Sequence, residues 1–499
     1  MLHRPAGFEK AISDDLSPSP PTRLAPLPFR VLLCQPRFVD HTLPSVSQLV
    51  THPGTERLLI RFSRDGVMQG FRDILAELQR AVAQGQPIDP MDLEADTVLA
   101  RLESRLAATD DAWLRQVVNA TGDVLHSGLG RALLPTVATE AIVRAATRPT
   151  TIEYDLSQGE HGRREQSVEH LLMDLTRSEA ATVVNNNTAA LFLGLSVLAS
   201  GKDVLVSYAD LNRSADTLTL RELVTASGAE LKTVGRATGV RAEDYEEAIT
   251  ARTGVILNMD TGDSRYGRAE QHVELADLVS IAHARKIPVM ETLGRGTFVD
   301  LSRYGLPKEP VVAERIACGT DVVTFSGDTF VGGPQAGLIV GSVACVGSLR
   351  RHTLHRALQC SKFTIAALEA TLRLYRESAC VVQEIPTLRA MTRPLRDIED
   401  TARRALPALV SALGAGFRVT LQDGTSQMGR GTPHTNEVPT KILVVQHDYM
   451  GGHRIAGRFR QASPPIIGRV EDDLFILDAR TIFDPLDMVP NWTDELNID

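Results

Sequence analysis

Between residues 180 and 341, short apolar runs alternate with helical stretches, and this alternation restricts the fold more than any other feature of the 499 residues. The apolar runs fall at 181–184, 204–206, 231–234, 255–259, 288–291 and 322–325. Most of the intervening segments have helical periodicity; in 188–199, Leu191, Leu195 and Leu198 share one face. Strands that are apolar throughout are buried on both faces, and helical crossovers make successive strands parallel. The expected fold class is therefore α/β, a mainly parallel sheet covered by helices. Ligands of such sheets collect at the carboxyl ends of the strands, which places 185–188, 292–296 and 326–329 at the candidate site.

The flanking regions read differently. Residues 1–40 are rich in Pro and Ser and read as an irregular arm. Residues 41–115 read as a helical domain, with Val67, Phe71, Ile74, Leu75 and Leu78 on one face and Leu99, Leu102 and Leu106 on another. Arg57, Arg61 and Arg64 also fall at helical spacing, flanked by Glu56 and Asp65. A large α/β domain is expected over 116–382 and a small α+β domain over 383–499, with strands at 417–421, 442–445, 466–470 and 474–477.

A formal charge of −9 gives no global attraction to nucleic acid or anionic membranes, so any RNA contact requires a local basic patch. Residues 1–115 hold 13 Lys plus Arg against 15 Asp plus Glu, the balance of a solvated surface. No apolar run is long enough to span a bilayer and no signal-peptide core is evident, so a cytoplasmic location is expected. Five cysteines without C-x-x-C spacing suit a reducing compartment and argue against a disulfide framework or a metal site. Only seven of the 53 basic residues are lysines, so each can be weighed as an imine former.

Long motifs carry a resemblance. They include LPSVSQLV (43–50), VVNATGDVLHSGLGRALL (117–134), IEYDLSQGEHG (152–162), VVNNNTAAL (183–191), YGLPKEP (304–310), SGDTFVGGPQAG (326–337), AALEATLRLY (366–375) and PPIIGRVEDDLFILDART (464–481). In this order they resemble the bacterial selenocysteine synthases, the L-seryl-tRNA(Sec) selenium transferases. These are fold-type-I, aspartate aminotransferase-like enzymes that use pyridoxal phosphate. The resemblance implies a cofactor held as an imine by a lysine, a carboxylate facing the pyridine nitrogen, and cations for phosphate and the selenium donor. It also implies tRNA(Sec) as partner and a homo-oligomer of at least two subunits.

Several of the implied residues have changed. Where the family reads S-G-D-K, this chain has Ser326-Gly327-Asp328-Thr329, so the lysine position holds a hydroxyl. Where the family reads E-D-L-G-S-G, the ring-facing Asp is replaced by Thr292, which supplies no charge. Glu291 is no substitute, because adjacent strand residues point to opposite faces. Arg131 and Arg356 match family arginines and His126 a family histidine, but Gln359 replaces a second arginine. Ordinary surface or inter-subunit pairing is the competing role for both arginines. Asn186, Asn187 and Thr188 suit either a phosphate cradle or a plain helix cap. Lys362, a lysine in the family too, is the one lysine weighed as a replacement. Family motifs have also drifted at 215–219, 236–239 and 258–263.

Together these residues predict a family member without imine catalysis, acting as a binding, scaffold or regulatory protein. One alternative is an active selenium transferase or related lyase using Lys362 or a lysine of another subunit. Another is a pocket turned over to an anionic small molecule through Asn186, Asn187 and Arg131.

Overall fold

The computed structural model describes residues 43–84, 90–110, 114–211, 220–236, 239–260, 272–429 and 437–492. The expected arm at 1–40 and the drifted stretches 215–219, 237–238 and 261–263 lie outside them. The chain divides into two compact units, Met1–Arg115 and Gln116–Asp499.

In the first unit, helices Val46–Val50, Thr55–Arg61, Arg64–Ala83 and Ala95–Asp110 enclose Leu49, Val67, Phe71, Ile74 and Leu102, all essentially inaccessible. The i, i+3, i+4, i+7 spacing of these residues delivers them to one side. The three arginines do not share a helix. One helix ends at Arg61, and Ser63 starts the next by accepting from the Gly66 amide, so Arg64 is a first-turn residue of a new helix. An extended Ser63 with a capping hydroxyl interrupts the periodicity that had joined them.

The second unit is built on a seven-stranded sheet. From one edge its order is Ala180–Val184, Gly337–Gly341, Val322–Ser326, Val289–Leu293, Thr253–Asp260, Asp203–Ser207 and Glu230–Val234. All neighbours are parallel except Gly337–Gly341, which runs antiparallel to both of its partners. Apolar side chains fill both faces. Val204, Val206, Val255 and Leu257 pack on one side and Val183, Val323, Phe325 and Leu338 on the other. Each such side chain contributes roughly 1.5–3 kcal/mol on burial. The mainly parallel α/β fold expected from the alternation is the fold observed.

A second, antiparallel sheet has the order Phe417–Ser426, Val438–His447, Leu474–Asp478, Arg469–Glu471. The expected strand at 466–470 is divided: Ile466–Ile467 leaves this sheet to pair in parallel with Val118–Asn119. The second sheet's core includes Val118, Ile398, Leu443, Phe459 and Phe475. Among the described residues no helix is long and apolar enough to cross a membrane.

Candidate functional site

Register aligns the strand ends that matter. Gly337 pairs with Val184 on one side and Ser326 on the other, so 185–188 and 327–329 emerge side by side. Glycine is needed at 337 because a Cβ there would lie 2.1 Å from the Asn186 carbonyl oxygen. The neighbouring strand contributes Thr292, in register with Thr324.

Asn186 caps the helix Asn187–Leu198, its Oδ1 accepting from the Ala189 amide at 2.8 Å. Asn187 Nδ2 donates to Thr292 Oγ1 at 3.3 Å and to the Leu293 carbonyl at 3.4 Å, while its own Oδ1 is buried without a partner. Thr188 is exposed in the first turn. Thr292 is buried, and its hydroxyl also accepts from Thr324 Oγ1 at 3.0 Å. Glu291 faces elsewhere: its Oε1 accepts from Asn258 Nδ2 at 2.8 Å and lies 3.8 Å from Arg315 Nη1.

Beyond Ser326 the chain makes a compact turn held by main-chain bonds. The Gly327 amide donates to Ala336, Gly332 to Thr329 and Gly333 to Gly327. Thr329 Oγ1 donates to the Ser326 carbonyl at 3.2 Å. Asp328 is buried, accepts from Ser326 Oγ at 2.5 Å and meets Arg131 Nη1 at 3.3 Å. Gly130 and Arg131 are both left-handed, with φ of 92° and 59°, and this bend turns Arg131 toward Asp328. His126, on the same loop, keeps a buried Nδ1 without a partner. Arg356 is exposed on the helix Thr353–Ala357 and has no ion-pair partner among the described residues.

The structure thus joins Asn187 to Thr292, and Arg131 to Asp328, Ser326 and Thr329 by way of Asp328 and the turn. Among the described residues, Arg356 makes no hydrogen bond or ion pair with either group. Thr324, a central partner of Thr292, was not singled out from sequence; aligning the two parallel strands would have found it. His355, one residue before Arg356, is buried, and its Nε2 lies 2.8 Å from Thr182 Oγ1. Burial, with a smaller contribution from Arg350, pushes its pKa below the ordinary 6.5.

Four lysines among the described residues have their contacts outside this constellation. Lys232 pairs with Glu230, Lys308 with Glu314, and Lys441 with Glu399 and Asp423. Lys362 begins the helix Lys362–Glu377 and lines a separate cleft whose lining includes none of Asn187, Thr292, Ser326 or Thr329.

The sequence profile of one family, L-seryl-tRNA selenium transferase, matches residues 117–483. The chain belongs to that family. The L-seryl-tRNA(Sec) selenium transferase of Methylocella silvestris is 39% identical over 444 residues, covering 89% of this chain and 94% of its own. The protein of the same name from Haemophilus influenzae is 34% identical, covering 91% and 98%. Among solved structures, a D-glucosaminate-6-phosphate ammonia-lyase superposes with a TM-score of 0.51 at 16% identity, covering 78% of this chain and 96% of that one. That likeness supports the fold.

Pyridoxal phosphate is the cofactor of this transferase family. Tethering it at the family position requires an amine, and protonating its ring requires an acid. Thr329 and Thr292 offer neither, and both hydroxyls are engaged within the protein. The residues at these strand ends do not fit an imine-tethered coenzyme.

Proposed function

We propose that this selenium transferase family member does not perform imine chemistry at its strand ends and acts as a binding or scaffold protein. The observation that carries the reading is the pair of threonines, Thr329 and Thr292, in place of base and acid. A hydroxyl cannot supply the nitrogen of an imine, and a neutral side chain cannot hold a ring nitrogen protonated. The geometry around Lys362 lends no support to a replacement amine, since that residue faces a different cleft.

Family membership supports tRNA(Sec) as the RNA this protein meets. Local charge adds little: Arg101 and Arg105 are both bound to Glu77 in the helical unit. Exposed Leu133, Val137 and Val143, close together in sequence, support a homo-oligomer of at least two subunits. A cytoplasmic location accords with such a partner.

The deciding experiment is to incubate the purified protein with pyridoxal phosphate, reduce with borohydride and map any modified residue by mass spectrometry. No stoichiometric adduct is expected. A single reducible adduct, with selenocysteinyl-tRNA formed from seryl-tRNA and selenophosphate, overturns the reading.

A further inference from the structure

A cleft of about 890 Å³ opens among the helices Thr136–Thr147, Gln166–Thr176 and Lys362–Glu377 and the hairpin of Tyr154–Asp155 with Glu160–His161. Six cationic side chains line it: Arg144, Arg163, Arg164, Lys362, Arg373 and Arg376. Only two carboxylates, Asp155 and Glu369, do so. The volume suits a nucleotide-sized molecule.

Four of the arginines are braced from outside the cleft. Arg144 Nη1 lies 3.7 Å from Glu140, Arg163 Nη1 2.9 Å from Glu169, Arg164 Nε 2.9 Å from Glu153 and Arg376 Nη1 3.8 Å from Asp174. None of these four acids is part of the lining. Arg164 is fixed further by donating to the Cys360 carbonyl at 3.0 Å. Arg373 is paired within the lining itself, to Glu369 at 2.7 Å, so the wall presents guanidinium groups held by carboxylates and one ammonium without such a partner. Such preset donors lose little freedom on meeting an anion.

Lys362 is different. It has no carboxylate partner among the described residues; its recorded contact is the Phe363 ring, 5.4 Å from Nζ. It is also the first residue of a 16-residue helix, where the positive end of the helix dipole disfavours a cation. An anion in the cleft would satisfy both.

We propose that this cleft binds a small, multiply phosphorylated molecule, with Lys362 as the uncompensated charge and Arg163 and Arg164 as preset donors. The hydroxyls of Thr150 and Thr151, also in the lining, add neutral donors. The site shares no lining residue with the strand ends, so it stands or falls independently of the imine experiment.

The test is calorimetric titration of the full chain with inorganic pyrophosphate and, separately, ATP. Binding with Kd below about 1 mM is expected for at least one probe. Lys362→Glu weakens it roughly tenfold or more and Lys362→Ala by a smaller factor, while Arg131→Ala leaves it within about twofold. Binding of both probes points to phosphate chemistry alone; binding of only pyrophosphate or only ATP identifies a free polyphosphate or a nucleotide. Failure of both probes overturns the proposal. So does loss of binding with Arg131→Ala but not with Lys362→Glu, which would assign the anion to the strand ends. Melting curves on each variant separate lost binding from lost fold.

Discussion

Arg131 Nη1 and Asp328 Oδ2 lie 3.3 Å apart although 197 residues separate them in sequence. The carboxylate is nearly inaccessible and the guanidinium more than a third exposed, so screening weakens the Coulombic part of the pair. The buried hydrogen bond from Ser326 matters more. Asp328→Asn keeps an acceptor for that hydroxyl and should cost about 1 kcal/mol in urea unfolding; Asp328→Ala orphans it and should cost about 2–3 kcal/mol. Equal costs for the two variants would mean that charge, and not hydrogen bonding, dominates.

Restoring the missing groups should restore tethering. Thr329 is only half-buried, so Thr329→Lys should fold with a stability change of about 1 kcal/mol. The double variant Thr329→Lys with Thr292→Asp is expected to give a borohydride-stable adduct of pyridoxal phosphate at position 329. Absence of any adduct in the double variant would show that the surrounding pocket, and not just these two side chains, has changed.

His355 makes stability depend on pH with a definite sign. Its folded pKa lies below the unfolded 6.5, so the unfolded chain takes up the proton first. Its contribution is therefore fully present above pH 6.5 and is lost as the pH falls through the lowered folded value. His355→Gln, which can still meet Thr182, should remove that part of the acid-side loss in a series of melting temperatures. An unchanged slope would assign it to other groups.

Gly337→Ala should be among the most damaging single-methyl additions in the protein. The new Cβ would sit 2.1 Å from a backbone oxygen that belongs to the helix cap, and backbone yields little. A loss of about 3 kcal/mol or more is expected. Gly347→Ala is the companion: it lies inside the helix Val343–Arg351 and its nearest neighbour is the flexible Arg351 tip at 3.4 Å. That variant should be neutral or stabilising by up to about 1 kcal/mol.

Much of the large sheet was legible because each strand is a local apolar run. The runs at 204–206 and 322–325 lie inside observed strands that extend one residue further at one or both ends. Neighbour relations were less legible. Nothing local says that Gly337–Gly341 inserts against direction between Ala180–Val184 and Val322–Ser326, or that Ile466 leaves its sheet for Val118. Such pairings are decided by how the whole core closes. At the candidate site, Thr329 and Thr292 were visible as substitutions within known motifs. The helix cap at Asn186 was legible locally, whereas the tie between Arg131 and Asp328 and the cleft around Lys362 required coordinates, since each joins side chains from distant segments.

The turn after Ser326 is held by amide-to-carbonyl contacts and by the side chains of Ser326, Asp328 and Tyr375, and the side chain at 329 contributes one hydroxyl. Architecture and chemical identity are therefore uncoupled at that spot. A lineage could exchange the residue there in either direction while the backbone turn that presents it stays as it is.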